Sequence, residues 1–203
     1  MRTRSKSFMS LLVFLVVCLG IALPPASAGQ AGATPPQNSK SVEEKNRRYF
    51  PDLKVVTHEG QEVLFYSDLL KDKTVVISFF YANCPTAQMS LVTLSKLQEM
   101  LGDQLGTDIH LVSISVDPER DTLKAVQEYA GKYNPKKGWM FLTGKKENVD
   151  AINLKLGNRS LIPESHIQVF LLGNLRNGRW MRLPESAPAN AVALGLQTLT
   201  SDK

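Results

Sequence analysis

The chain has 203 residues, of which 43% are hydrophobic and 21% charged, and its formal net charge is +5. This composition excludes a disordered or fibrous chain, and the length fits one globular domain with a preceding segment. Outside the first 28 residues no basic tract is present, so the charge pattern does not indicate nucleic-acid binding.

Residues 1–28 have the pattern of an export signal. Three basic residues among the first six precede an apolar run over residues 8–23, and Ala26-Ser27-Ala28 fits a cleavage site. The apolar run has 16 residues, whereas a relaxed membrane span needs about 20. We therefore predict cleavage, with an uncleaved anchor as the alternative. Either way we expect a periplasmic domain, free or held at the inner membrane by its N-terminus alone.

Removal of the leader would change the net charge and the cysteine count of the mature chain. The leader holds three of the 24 Lys and Arg residues and none of the 19 acids, so 21 bases and 19 acids remain, a net charge of +2. Cys18 lies in the leader, which leaves Cys84 as the one cysteine of the mature chain. A single thiol in an oxidising compartment excludes an internal disulfide and leaves a free thiol, a mixed disulfide or a metal ligand.

The rest of the chain is predicted to be a tether and one domain. Residues 29–46 are rich in small and polar residues and then charged, which predicts a flexible tether before a domain over residues 47–203. Apolar residues at 55–56 and 63–65 flank Glu59-Gly60 and predict a small hairpin at the start of this domain.

Apolar runs and amphipathic stripes then alternate. The predicted strands cover 74–81, 109–116, 139–142, 167–172 and 180–183, and the predicted helices follow Cys84 and cover 123–133, 148–156 and 189–199. This order predicts an α/β fold of the thioredoxin-like kind. Its central mixed sheet has helices on both faces and is preceded by the hairpin.

Cys84 is the strongest candidate for chemistry. It lies between a predicted strand and a helix that starts at Pro85. The free N–H groups and partial positive charge of a helix start favour a thiolate over a thiol. A small buried structural residue is the alternative reading of a free cysteine. We interpret Cys84 as functional.

Two further residues could join the cysteine. His166 stands at the start of a predicted strand, and strand ends in α/β sheets face ligand crevices. Imidazole and thiolate together suit copper or zinc, whereas a histidine alone is more often a surface or hydrogen-bonded residue. Met89 carries a thioether that can bind Cu(I), although a core methionine is the simpler interpretation. In the 117–121 loop, a cap at Asp121 and an ion pair are expected rather than catalysis.

Several stretches resemble the Sco/SenC family of thioredoxin-like copper-delivery proteins of cytochrome c oxidase assembly. The resemblance spans about Tyr49 to Leu199, and its most specific part is Val112–Thr122. The other matching stretches are 79–85, 138–144, 157–160, 164–166 and 171–174.

The resemblance implies a copper site with one substitution. The family binds one copper through two cysteines spaced C-x-x-x-C and a distant histidine. Cys84 takes the first cysteine position and His166 the histidine position, while Gln88 stands at the second cysteine position and Met89 at the following proline. Loss of one thiolate should weaken Cu(I) binding severely and abolish dithiol chemistry.

Three functions follow as hypotheses. The first is a variant metallochaperone that holds copper through Cys84 and His166, with Met89 or a partner residue as third ligand. The second is a single-thiol redox protein, and the third is an assembly factor without metal. A metallochaperone-like protein is favoured over an enzyme. The expected partner is a cytochrome oxidase subunit or another copper or thiol protein.

Overall fold

A computed structural model describes residues 37–82, 85–160 and 162–201, and it describes side chains from Lys40 onward except at positions 85–88. The predicted leader and Cys84 lie outside the described residues. Within the described part of the chain, no helix combines the length and apolar character needed to cross a membrane.

The described residues form a mixed sheet and five α-helices. The strands are β1 Lys54–Thr57, β2 Glu62–Leu64, β3 Thr74–Phe80, β4 Ile109–Ser115, β5 Trp139–Thr143, β6 Val169–Asn174 and β7 Arg179–Pro184. The helices are α1 Gln37–Tyr49, α2 Pro85–Leu101, α3 Leu123–Gly131, α4 Lys146–Lys155 and α5 Ala189–Thr200. A short π-helical turn covers Phe65–Leu70 and a 3₁₀ turn covers Pro163–Ser165.

The seven strands lie in the order β2-β1-β5-β4-β3-β6-β7. Strands β3, β4 and β5 are parallel, whereas β1 pairs with β5, and β6 with β3, in antiparallel fashion. The predicted N-terminal hairpin is present as β1 and β2. The hairpin extends the main sheet at one edge, and β6 and β7 form the other.

Helices cover both faces of the sheet, as predicted. All seven residues of β3 are buried. Such a strand reads as a continuous apolar run with β-branched and aromatic residues, because neither of its faces meets water. Residues of α2, α3 and α5 pack on one face around Val76 and Phe80. The other face, with Val75 and Ile77, is covered by α4, the π-helical turn and Phe50.

One predicted segment differs clearly. The flexible tether over 29–46 is wrong for residues 37–46, which belong to α1. Asn46 is buried and its Nδ2 donates to the backbone oxygen of Leu175 at 2.8 Å, and Phe50 packs against Trp180 with a centroid distance of 5.4 Å. Contacts with residues distant in sequence therefore stabilise a helix whose composition alone suggests a loop.

The histidine in β4 leads to a testable pH dependence. His110 is 9% exposed, and burial lowers its pKa from an ordinary value of 6.5. A lowered histidine pKa means that the unfolded chain binds the proton more tightly. The free energy of unfolding is therefore at its full value above pH 6.5, and it decreases as the pH falls below 6.5 because the unfolded chain takes up the proton first.

We expect the stability advantage of the wild type over His110→Gln to be constant above about pH 7.5 and to narrow below pH 6.5. Urea unfolding of both proteins across this range measures the difference. An advantage that stays constant down to pH 5 would contradict the assignment.

Candidate metal site

The candidate site lies where β3 ends. The chain leaves β3 at Phe80, passes Tyr81 and Ala82, and enters α2 at Pro85. Cys84, the principal predicted ligand, occupies this passage in sequence and lies outside the described residues. A helix that begins directly after a cysteine is the environment that lowers a thiol pKa.

His166 is placed and oriented by the turn before it. It follows the 3₁₀ turn at Pro163–Ser165 and precedes β6 by three residues. The prediction that His166 stands at the start of a strand is therefore wrong, because the strand begins only at Val169. The side chain is 5% exposed. Its Nδ1 lies 2.8 Å from the backbone oxygen of Pro163.

That contact fixes the imidazole tautomer. A carbonyl oxygen only accepts hydrogen bonds, so Nδ1 carries the proton and Nε2 of the neutral ring presents a lone pair. Nε2 is buried and has no hydrogen-bond partner among the described residues. A histidine held through Nδ1–H by a backbone carbonyl, with its other nitrogen free, has the arrangement of a metal ligand. On this observation the residue fits copper as a bound ion.

His166 also lies beside the segment that leads to Cys84. The rings of Tyr81 and His166 meet edge to face, with centroids 6.0 Å apart and planes at 88°. Tyr81 precedes Cys84 by three residues. The structure thus brings the predicted histidine to the end of β3 from which the cysteine segment departs.

A buried carboxylate also holds that segment. Asp121 is 2% exposed, and its two oxygens accept hydrogen bonds from the backbone N–H of Ala82 at 3.1 Å and from Ser115 Oγ at 2.6 Å. Burial raises the pKa of Asp121 above its ordinary value, and these hydrogen bonds oppose the increase. Thr143 Oγ1 donates to the backbone oxygen of Asp121 at 2.6 Å. Asp121 therefore positions the chain before Cys84.

The polar contacts continue to His166. Asn153 Nδ2 donates to the backbone oxygen of Ser115 at 3.0 Å, and Asn158 Nδ2 lies 3.5 Å from Asn153 Oδ1. Asn158 Oδ1 accepts from the backbone N–H of Ile167 at 3.3 Å. We call the set Asp121, Ser115, Asn153 and Asn158 the polar relay. It connects the backbone at Ala82 with the residue next to His166.

The loop between β4 and α3 is held much as its sequence suggests. Arg120 forms an ion pair with Asp117 and approaches Glu164 at 3.9 Å, which links this loop to the turn before His166. The helix cap is different from the expectation. Thr122, not Asp121, is the N-cap of α3 and accepts from the backbone N–H of Ala125 at 3.3 Å.

Glu185, which follows β7, is a further polar residue of this region that no sequence motif indicates. It is 8% exposed, and its carboxylate accepts a hydrogen bond from Ser90 of α2. Burial raises the pKa of Glu185; the hydrogen bond from Ser90 opposes this, and so would a positive charge on His166. The sequence signal that could have identified Glu185 is an acid directly after β7, the strand that pairs with β6, which follows His166.

The other candidates are placed less favourably. Met89 is 67% exposed on α2, so the interpretation as a core methionine is wrong, and its role as a third ligand stays a prediction. His58 is half-buried and accepts from the backbone N–H of Phe141 through Nδ1 at 3.3 Å. Among the described residues, no three His, Cys, Asp or Glu side chains are grouped to hold a metal ion.

The sheet order, the helix after the first central strand and the histidine loop at the same edge define a thioredoxin-like protein. Solved structures agree. A SCO1/SenC family lipoprotein from Bacillus anthracis matches with a TM-score of 0.62 at 21% identity, covering 75% of this chain and 95% of that one. Bradyrhizobium japonicum ScoI with copper bound matches with a TM-score of 0.59 at 22% identity, covering 72% and 96%.

The family model for SCO1/SenC matches residues 42–157, and the chain belongs to this family. The match includes Cys84 and the 117–121 loop and ends before His166. A SCO2-like protein of Rickettsia conorii is 30% identical over 116 residues, 57% of this chain and 54% of that protein. The mitochondrial SCO1 homolog 1 of Arabidopsis thaliana is 33% identical over 84 residues, 41% of this chain and 25% of that protein. The chain thus spans about half or less of these relatives' length.

Proposed function

We propose that this chain is an exported Sco-type protein that handles copper, or a partner's thiols, during assembly of a respiratory cytochrome oxidase. One observation carries the copper part of the proposal. Nε2 of His166 is buried, lacks a hydrogen-bond partner among the described residues, and belongs to a ring next to Tyr81. A buried nitrogen left without a partner loses the hydrogen bond that water would supply. An ion that binds this nitrogen would compensate for that loss.

In this proposal copper is the cargo and the chain supplies two donors. The Cys84 thiolate is the main donor, since a soft sulfur ligand selects Cu(I). His166 is the second donor, and its proton stays on Nδ1 in the hydrogen bond to Pro163. The polar relay holds the two backbone segments that precede Cys84 and follow His166 in fixed positions relative to each other. Met89, or a residue of the partner, completes the ligand set.

The support for export and for the oxidase role comes from different sources. Residues 1–28 have the pattern of a leader, which supports the proposal that the domain lies outside the cytoplasmic membrane. One structural relative, BsSco, is described as a member of the Sco family of cytochrome c oxidase assembly proteins, and it matches with a TM-score of 0.61 at 23% identity. By family membership we propose an oxidase subunit, or another copper or thiol protein, as the partner.

A Cu(I) competition titration tests the site. We expect the wild-type chain to bind one Cu(I), Cys84→Ser to lose binding, and His166→Asn to bind at least about 10-fold more weakly. Asparagine at 166 can still donate to Pro163 through Nδ2 and has no counterpart of Nε2, so it separates metal binding from local folding.

His58→Asn is the matched histidine control, since His58 contacts Phe141 and not the site. Circular dichroism checks that each variant is folded. Copper binding that is the same in the wild type and in Cys84→Ser would refute the proposed site.

A second candidate is an assembly factor that keeps the fold without holding metal. Gln88 favours it, because an amide at the second cysteine position is a poor ligand for Cu(I). The two candidates separate when a cysteine is restored at position 88.

A further inference from the structure

A cavity lies on the face of the sheet that α4 covers, next to α1. It has a volume of about 430 Å³ and is lined by α1, the C-terminal end of α4, and β7 with its neighbour β6. Binding pockets for small molecules fall in the range of about 300–1,000 Å³. None of its lining residues belongs to the polar relay or to the surroundings of His166 described above.

Aromatic rings form one side of this cavity. Phe50 packs on Trp180 with centroids 5.4 Å apart, and Tyr49 meets Phe50 edge to face at 4.8 Å. Phe50 is buried, whereas Trp180 is 37% exposed and Tyr49 is 53% exposed. The cavity therefore offers apolar ring surface to a ligand, and the exposed rings stand at its opening.

These rings are held in place. Tyr49 Oη donates to the backbone oxygen of Lys155 at 2.7 Å, and Asn46 anchors the same helix to Leu175. The Trp180 ring lies against Gly173, where an added Cβ would approach a ring atom to 2.5 Å. A side chain at position 173 would therefore displace the indole, so the glycine makes room for the aromatic wall.

Positively charged side chains also line the cavity. Lys45, Lys155 and Arg182 face the cavity, and no acidic residue lines it. In the part of the chain that the structure describes, none of the three forms an ion pair, whereas Lys54, Lys71 and Lys136 each have an acidic partner. Three cations around one cavity without a carboxylate favour an anionic ligand.

Two of these cations are also constrained. The Lys155 ammonium lies 5.7 Å from the centroid of the Tyr49 ring, a cation–π distance. A guanidinium nitrogen of Arg182 lies 3.1 Å from where a Cβ would stand on Gly157, which has a φ of +91°. A residue other than glycine at 157 would be strained and would push the guanidinium away. Glycine thus admits Arg182 to the edge of the cavity.

We propose that this cavity binds a small organic anion, a carboxylate or phosphate attached to an aromatic or other flat apolar ring. The ring would lie against the exposed ring of Trp180, and the anionic group would lie among Lys45, Lys155 and Arg182. A guanidinium such as that of Arg182 can bind a carboxylate or phosphate through two parallel hydrogen bonds. A bare inorganic anion would leave the aromatic wall unused, and a neutral ring would leave the cations unpaired.

The chain contains its own reporter for this site. It has two tryptophans, and Trp139 is 1% exposed in the core whereas Trp180 lines the cavity. A ¹H–¹⁵N spectrum of the full-length chain shows one indole resonance for each. Trp180→Phe assigns them, and the Trp139 resonance then serves as an internal reference for folding.

The probe is phenyl phosphate, with inorganic phosphate standing for its anionic half and neutral benzyl alcohol for its aromatic half. We expect phenyl phosphate to shift the Trp180 resonance in a saturable manner and leave Trp139 unchanged, with each half binding at least about 10-fold more weakly. Arg182→Gln and Lys155→Gln should each weaken phenyl phosphate about 10-fold, since each removes one charge-assisted contact. Lys96→Gln, an exposed cation on α2, is the matched control.

Three results would overturn the proposal. Benzyl alcohol binding as well as phenyl phosphate would mean a general apolar groove. Equal affinity of Arg182→Gln and Lys96→Gln would mean that the cations do not take part. Binding to phosphatidylglycerol vesicles without saturable binding of phenyl phosphate would mean a membrane-contact surface. The test uses no copper, so its failure is independent of the proposed function.

Discussion

Replacing Gln88 with cysteine is expected to raise the affinity for Cu(I) by at least about 100-fold. The change restores the C-x-x-x-C spacing that the family uses from Cys84, so a second thiolate replaces an amide as a donor to a soft ion. Loss of an outer-shell partner already changes metal affinity by about 10–100-fold, and a direct ligand should change it more. Competition against a Cu(I) chelator under reducing conditions measures the effect.

Val92→Cys is the matched control for this experiment. Val92 lies on α2, the same helix, and is 48% exposed, so the variant adds a thiol without restoring the spacing. We expect its affinity for Cu(I) to stay near that of the wild type. An equal gain in both variants would show that any added thiol binds copper, and would remove the argument for a degenerate family site.

The native protein's own affinity decides between the two proposed functions. Stoichiometric binding by the wild type, strengthened in Gln88→Cys, supports a variant metallochaperone. No binding by the wild type together with tight binding by Gln88→Cys supports the assembly factor without metal. If neither protein bound copper, the placement of Cys84 and His166 in one site would be wrong.

Asp121→Ala is expected to lower the free energy of unfolding by about 2–4 kcal/mol. The substitution removes the acceptor of two hydrogen bonds and leaves the partly buried Ala82 N–H and the buried Ser115 hydroxyl without it. Each donor deprived of its partner costs about 1–3 kcal/mol. Because Ala82 precedes Cys84 by two residues, the same variant should also weaken Cu(I) binding. Urea unfolding and the copper titration measure the two effects.

Two further variants make the Asp121 experiment specific. Asp103→Ala, an exposed acid after α2, should change stability by less than about 0.5 kcal/mol. Asp121→Asn keeps one acceptor and cannot ionise. Because burial raises the Asp121 pKa, the wild type loses stability as the pH rises above 3.8 and the Asn variant does not. The free energy of unfolding of Asp121→Asn should therefore increase relative to that of the wild type as the pH rises above 3.8. If Asp121→Ala had the same free energy of unfolding as the wild type, the polar relay would not contribute to stability.

The architecture could be predicted because its main signals are local. The run of β-branched and aromatic residues in β3 and the leucine stripe of α2 each identify an element without reference to the rest of the chain. The hairpin β1–β2 is marked by the turn at Glu59-Gly60, where Gly60 has a φ of +83°. Alternation of such elements is enough to indicate an α/β fold.

What escaped prediction depends on contacts between distant residues. Helix α1 is held by Asn46, whose partner Leu175 is 129 residues away. The polar relay joins residues from four separate segments, and a buried Asn or Ser looks no different in sequence from an exposed one. The exposure of Met89 on α2 follows from how that helix packs. Such features depend on the tertiary structure, which a single sequence does not display.

The antiparallel pairing of β3 with β6 has a thermodynamic consequence. The segments that carry Cys84 and His166 adjoin two strands that are hydrogen-bonded neighbours, although the residues are 82 apart in sequence. The entropy of bringing these segments together is therefore lost during folding and not during binding. An ion held by both would stabilise the β6–β7 hairpin against local unfolding by mass action. Transfer of that ion to a partner would return the hairpin to its lower intrinsic stability.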